Sequence, residues 1–250
     1  MTKCKNGGMS LRVCINIQSG YTAFADKVEL ARHAAALWLE RLAKRDPAKP
    51  FTVALSGGRI PRLLYELVME QARPGAFDNV HFFWGDERFV SATDDESKFK
   101  LADEGLFQPL QIPLGQVHRV LTERSEAEAV QMAADELQQF AVGQALGQPV
   151  IDLVFLGMGE DAHVASLFPG DTEAIDSQAV YRAVTGPKPP PRRITLGYPA
   201  LAAAREVWVL ASGEGKAGAL RDSLTAGSDT PLGRILHSRK QTEIFTDFEV

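Results

Sequence analysis

The sequence predicts an α/β fold built on a mostly parallel sheet. Strand-like and helix-like segments alternate along nearly the whole chain, which is the pattern of strands joined by helical crossovers. The run "VIDLVFLG" over 150–157 is apolar almost throughout, as in a strand covered on both faces. Several strands also stop abruptly at polar loops rich in glycine, the usual place for ligands in such sheets.

The elements follow in order. "LRVCINIQ" (11–18) alternates as a strand, after a polar stretch "MTKCKNGGMS" expected to be a flexible extension over 1–10. Residues 25–45 place Val28, Leu30, Ala31, Ala34, Ala35, Leu37, Trp38 and Leu42 at helical spacing. "FTVAL" (51–55) is a β-rich run, and "SGGR" leads from it into a helix from Pro61 to Met69, with proline in the first turn where its missing N–H costs nothing. "VHFFW" (80–84) is a strand ending at Gly85-Asp86-Glu87-Arg88. A polar loop through Asp94-Asp95-Glu96 precedes a short helix over 97–107.

"RSEAEAVQMAADELQQFAVGQAL" (124–146) reads as a long helix, with Ser125 and Glu128 spaced as a capping box. After the 150–157 strand, further strands are expected over 180–185, 193–197, 206–211 and 242–246. Helices are expected over 199–204 and 215–224. "TGPKPPPRR" is extended but short, a loop and not a linker, so residues 11–250 are expected to form one domain.

The totals narrow the function. The 250 residues are 45% hydrophobic and 24% charged, as in an ordinary soluble globular protein. A net charge of −5 argues against non-specific nucleic-acid binding, which needs a basic face. No basic-then-apolar leader and no apolar run approaching a membrane span is seen, so a cytoplasmic protein without membrane partners is expected. Cys4 and Cys14 do not suggest a disulfide framework.

Chemistry gathers at the strand ends. In "SGGRIP", backbone N–H groups at a helix start, the Ser56 hydroxyl and the Arg59 guanidinium suit a phosphate held over Gly57 and Gly58. A tight turn without ligand is the plainer alternative, and the G-x-x-x-x-G-K-S/T spacing is missing. "GDER" joins two carboxylates to Arg88 and is by itself a surface ion pair as readily as a site. "GMGEDAH" has only the weaker G-x-G-x-x-A form of a dinucleotide loop, and late in the chain, which argues against NAD. It ends on His163, an imidazole suited to accept a proton from water though a lone histidine is more often structural, with Asp161 placed to orient the ring or the substrate. Five scattered histidines offer no zinc spacing. Lys216, in "SGEGKAGAL", either reaches back to a phosphate or is a solvated helical lysine.

"LSGGRIP", "FFWGDERFV", "DLVFLGMGEDAHVASLFPG" and "SGEGKAGAL" occur in the order found in the glucosamine-6-phosphate isomerase/6-phosphogluconolactonase family, and the chain resembles the bacterial lactonases in it from about residue 20 to its end. The resemblance implies a Rossmann-like sheet with helices on both faces, similar to the glucosamine-6-phosphate and ribose-5-phosphate isomerase group. It implies hydrolysis of 6-phospho-D-glucono-1,5-lactone without metal or organic cofactor; separately, a monomer or weak homodimer is expected. His163 would deprotonate water and Arg88 would steady the oxyanion. Asp161 would support His163, and Asp86 would hold sugar hydroxyls or Arg88. Ser56, Gly57, Gly58 and Lys216 would hold the phosphate, helped by Arg192 or Arg193. Ser166 matches a helix-start serine and lacks a nucleophile elbow.

The chain departs from the family pattern in three places. Arg59-Ile60 replaces two hydroxyl residues, Ala162 replaces the glycine of D-G-H, and Ser97-Lys98 replaces S-N. If position 162 needs a positive φ, alanine costs roughly 1 kcal/mol or more there. Two rivals stand beside the lactonase: a glucosamine-6-phosphate deaminase, whose second loop usually reads M-D-E-Y without arginine, and a non-catalytic sugar-phosphate-binding regulator, which would need no water-activating base.

Overall fold

The computed structural model describes residues 2–4, 11–14 and 19–250. In chain order the elements are β1 (Thr2–Cys4), β2 (Leu11–Cys14), β3 (Ser19–Ala23), α1 (Lys27–Lys44), β4 (Phe51–Leu55), α2 (Arg59–Gln71), β5 (Val80–Trp84), β6 (Asp86–Arg88) and α3 (Lys98–Ala102). There follow α4 (Glu126–Phe140), β7 (Gln144–Ala145), β8 (Gln148–Pro149), β9 (Leu153–Gly157), α5 (Thr172–Asp176), β10 (Tyr181–Thr185) and β11 (Arg192–Leu196). The chain closes with α6 (Tyr198–Ala203), β12 (Glu206–Ala211), α7 (Ala217–Leu224), α8 (Pro231–Ser238) and β13 (Thr242–Thr246).

The main sheet runs β1-β2-β3-β13-β12-β9-β4-β5. From β3 to β5 every pairing is parallel, and β1 and β2 add an antiparallel edge. The expected strand over 11–18 is therefore β2, with residues 15–18 outside the described ones. The boundary drawn at residue 11 separates two strands that pair with each other; residues 1 and 5–10 also lie outside the described ones.

Period-two alternation splits the sheet side chains between two cores. Val53, Leu55, Phe82, Trp84, Leu153, Phe155, Trp208 and Phe245 face α1 and α2. Ala54, Phe83, Val154, Leu156, Val207, Val209 and Ile244 face α4, α6, α7 and α8. Both faces of β9 are buried, as its unbroken apolar run requires. Helix α1 starts where Asp26 accepts from the backbone N–H groups of Val28 and Glu29, and it buries Leu30, Ala34, Trp38 and Leu42 at helical spacing.

Four expectations need correction. "GDER" is not a loop: Asp86–Arg88 is β6, which pairs antiparallel with β11, itself paired with β10. Those three strands form a second sheet, so 180–185 and 193–197 do not extend the parallel one. The helix expected to 146 stops at Phe140, because Gly143 takes φ +102° and Leu146-Gly147, both at positive φ, close a two-residue hairpin between β7 and β8. The 97–107 helix is α-helical only to Ala102 and widens into a π-turn over Asp103–Phe107. Helix α8, capped by Thr230 with Pro231 in its first turn, has no counterpart among the expected elements.

Candidate active site

Strands β12, β9, β4 and β5 are neighbours and parallel, so their carboxyl ends reach the same edge of the sheet. Four loops leave there, and between them lies a cleft of about 680 Å³. Seven basic side chains line it, Lys27, Arg59, Arg88, Lys98, Lys188, Arg193 and Lys216, against the carboxylates Asp86, Glu160 and Asp161. The cleft is thus cationic in a chain of net charge −5, a local field that draws an anion.

The first loop turns at Gly58, whose φ of +105° favours glycine, and starts α2 with no side-chain cap. The free N–H groups of the first turn and the helix dipole point to an anion there. Ser56, Gly57, Gly58 and Arg59 all line the cleft, and Tyr65 fixes the turn from beneath by donating to the Ser56 carbonyl at 2.7 Å. Lys216 stands across from this loop in the 3₁₀ turn Glu214–Lys216. Burial lowers its pKa and the nearby charge of Arg59 lowers it further, against the pull of Asp247 and Glu160.

The chain leaves the main sheet at Gly85, whose N–H bonds back to Leu55 and whose carbonyl receives the N–H of Leu196. Asp86 and Arg88 then share one face of β6, and Glu87 takes the other. Asp86 was expected to hold sugar hydroxyls or Arg88. Its carboxylate lines the cleft but is only 1% exposed; it pairs with Lys98 through one oxygen and accepts from the Ser166 hydroxyl at 2.7 Å through the other. Burial alone would raise its pKa, but the charge and hydrogen bond of Lys98, then Ser166 and Arg88, outweigh that and hold it below the ordinary range.

Arg88 turns toward Glu96, donating through Nη1 to its carbonyl at 2.9 Å and to its carboxylate at 3.4 Å. Glu87 accepts the N–H groups of Lys98 at 2.9 Å and Phe99 at 2.7 Å, which docks the start of α3. Its burial still leaves its pKa raised.

The third loop carries His163. His163 Nδ1 lies 2.6 Å from Asp161 Oδ1, and the His163 N–H donates to the same oxygen at 3.2 Å. A carboxylate only accepts, so Nδ1 carries a proton, and in the neutral ring Nε2 is then the acceptor. Burial pushes the Asp161 carboxyl up, but the hydrogen bond from His163, and the charge of that ring when protonated, leave it lowered overall.

Gly159 makes room for this pair: a Cβ there would sit 2.1 Å from His163 Nδ1 and 2.4 Å from Asp161 Oδ1. Ala162 does adopt φ +62°, and Ala165 φ +52°, so the loop is strained on both sides of His163. The strain is tolerated because the loop is tied down. Val164 bridges to Met158 and Leu167, the Ala162 carbonyl receives the Leu232 N–H at 3.1 Å, and Ser166 is held to Asp86.

The two arginines at the start of β11 have different surroundings. Arg193 lines the cleft, over the Phe168 ring and bonded to the carbonyls of Lys188 and Pro190. Arg192 points away, ion-paired with Glu126 at 2.5 Å over Phe89. Ser166 is fully buried beneath the loop and is no nucleophile. Sequence reasoning missed Lys98, Glu96, Lys27 and Lys188. The substitution at 97–98 was the one available signal for Lys98.

A family model described as glucosamine-6-phosphate isomerases/6-phosphogluconolactonase matches residues 25–244. A 6-phosphogluconolactonase of Nostoc sp. is 40% identical over 182 residues, 72% of this chain and 73% of the relative. One of Mycobacterium tuberculosis is 37% identical over 182 residues, 71% of this chain and 73% of the relative. Among solved structures, a 6-phosphogluconolactonase from Thermotoga maritima superposes with a TM-score of 0.78 at 30% identity, covering 91% of this chain and 99% of its own. One from Trypanosoma brucei at 24% identity shares the fold, with a TM-score of 0.82 over 90% of this chain and 95% of its own. The family model over residues 25–244 and these relatives show that this chain belongs to the glucosamine-6-phosphate isomerase/6-phosphogluconolactonase family.

Proposed function

We propose that this protein hydrolyses 6-phospho-D-glucono-1,5-lactone to 6-phosphogluconate, the second step of the oxidative pentose phosphate pathway. The observation that carries the reading is the His163–Asp161 pair, with Nε2 left as acceptor, in one cationic cleft with Arg88. A lactone is an activated ester, so a positioned base and water suffice without a covalent nucleophile, and general-base help is typically worth about 10²–10⁴-fold.

His163 Nε2 takes a proton from water as the water oxygen bonds to the lactone carbonyl carbon. Arg88, and Arg193 beside it, face the negative charge that develops on the carbonyl oxygen. Collapse of the tetrahedral intermediate breaks the bond to the ring oxygen, which takes the proton back from His163. The substrate phosphate sits over Ser56, Gly57 and Gly58, at the uncapped start of α2, between Arg59 and Lys216.

"GDER" with Arg88, and relatives named as lactonases, favour this reaction over deamination on the same fold. A cytoplasmic monomer or weak homodimer is the working expectation, which fractionation and gel filtration test; no helix among the described residues is long and apolar enough to cross a membrane.

The test is hydrolysis of freshly generated lactone, coupled to 6-phosphogluconate dehydrogenase and corrected for spontaneous opening. A rate above background that scales with protein is expected. None would send the substrate assignment to glucosamine 6-phosphate or to binding alone.

A further inference from the structure

We propose that Lys98 is a positioning residue for this reaction: it occupies the carboxylate of Asp86 and so keeps the Arg88 guanidinium, held through Nη1 by Glu96, from being drawn to that carboxylate and away from the substrate. The proposal rests on the lactonase reading for its kinetic consequences, and on the geometry alone for its structural one.

Asp86 and Arg88 stand two residues apart on β6, on the same face of the strand. A carboxylate as buried as Asp86 requires a cation or several donors. With nothing else present, the adjacent guanidinium is the partner at hand, and the two-pronged pair so formed would tie up the N–H groups that an oxyanion needs. The structure shows another arrangement. Lys98 Nζ takes one oxygen of Asp86, Ser166 takes the other, and Arg88 turns its Nη1 to the Glu96 backbone and side chain.

Three features build a slot for Lys98. Ser97 caps α3, accepting the Lys100 N–H. Glu87, on the opposite face of β6, pins the N–H groups of Lys98 and Phe99. Gly57 lets the lysine stem cross the first loop, where even a Cβ would come within 2.6 Å of Lys98 Cγ. The charged groups around the ammonium are Asp86, Arg88 and Glu87, and Arg193 lies opposite Arg88 across the β6–β11 pairing. Burial lowers the lysine's pKa and Arg88 adds to that, while Asp86 opposes them. Because Asp86 also holds Ser166 in the turn that follows His163, the lysine ties the first and third loops to one carboxylate.

The test is Lys98→Met, Asp86→Asn and the double variant, with Lys98→Arg as a charge-retaining control and thermal melts to confirm folding. Lys98→Met is expected to lower kcat by about 10–100-fold, the order expected of a misplaced catalytic group, and to leave 6-phosphogluconate binding within a few-fold. The double variant is expected to recover most of that loss, because the neutral amide put in place of the Asp86 carboxylate no longer draws Arg88. Lys98→Arg is expected to fold and to stay within a few-fold of wild type.

A double variant no better than Lys98→Met would mean that the ammonium acts on the substrate directly, and would overturn the proposal. A crystal structure of Lys98→Met gives a reading that needs no turnover. Arg88 bonded to Asp86 supports the proposal, and Arg88 still on Glu96 overturns it. Wild-type protein that hydrolyses no lactone would instead fail the functional reading, with this structural result still decisive for Lys98.

Discussion

Replacing Gly159 by alanine should disable the base without disturbing the fold. Gly159 is not among the positive-φ glycines, so its backbone accepts an alanine and the cost is purely steric. The new methyl would fall 2.1 Å from His163 Nδ1 and 2.4 Å from Asp161 Oδ1. Non-bonded heavy atoms settle at about 3.5 Å or more, so ring and carboxylate must each retreat by ~1 Å. Both are ends of side chains with room in the cleft, which keeps the cost to folding small.

The 2.6 Å hydrogen bond between them does not survive that retreat. A hydrogen bond to a charged group is worth about 1.5–3 kcal/mol, and at 1.36 kcal/mol per decade its loss should lower kcat by about 10–150-fold. Steady-state hydrolysis of the lactone gives kcat, calorimetry gives affinity for 6-phosphogluconate, and a thermal melt gives stability. Expected are the fall in kcat, affinity within a few-fold and a nearly unchanged melt. Wild-type kcat in a folded Gly159→Ala protein would show that the pair is not what sets the base.

His163→Ala should cut kcat by about 10²–10⁴-fold with product affinity within a few-fold, measured by the same assay and calorimetry. Lys216→Ala should act mainly on KM, raising it by about 10–150-fold for the loss of one charge-assisted contact to phosphate, with kcat within a few-fold. Stability should fall on acidification between pH 6.5 and 4 because His81, buried beside His118, has its pKa lowered to about 4 by that burial and then by His118. The unfolded chain protonates this ring near pH 6.5 and the folded one only near 4, so its contribution is full above 6.5 and lost toward 4. Thermal melts across that window should show a shallower decline in His81→Gln than in wild type.

The loops at the ends of β4, β9 and β12 were legible in the sequence because their signals are local: an apolar run, then glycines and charges, then a helix. His163 with Asp161, and Lys216 across from Arg59, follow from that pattern once parallel strands bring the loops to one edge. The role of β6 was not legible. Three residues are too few to show alternation, and the partner strand lies about a hundred positions away, where no local pattern reaches.

Lys98 was hidden for a similar reason, since its meaning comes from Asp86, Gly57 and Glu87 and not from its neighbours. The α8 helix was a different failure. Thr230-Pro231 is a cap followed by a first-turn proline, a start signal present in the sequence and passed over. The positive φ at Ala162 lay between these cases, since the sequence could pose the question and only backbone geometry could answer it.

The pairing of β13 between β3 and β12 has a consequence for how the molecule is made. The segment synthesised early, Ser19–Ala23, has its parallel neighbour in Thr242–Thr246, synthesised more than two hundred residues later. Tyr21 likewise waits for the Phe248 carbonyl, its acceptor at 2.7 Å. Until that strand emerges from the ribosome, β12 has a bare edge and β3 has no parallel strand to join. The loop that carries His163 waits as well, since the carbonyl of Ala162 is held by Leu232. A nascent chain stalled before residue 230 would carry every motif that lines the cleft, but neither β13 to join β3 to β12 nor Leu232 to hold Ala162.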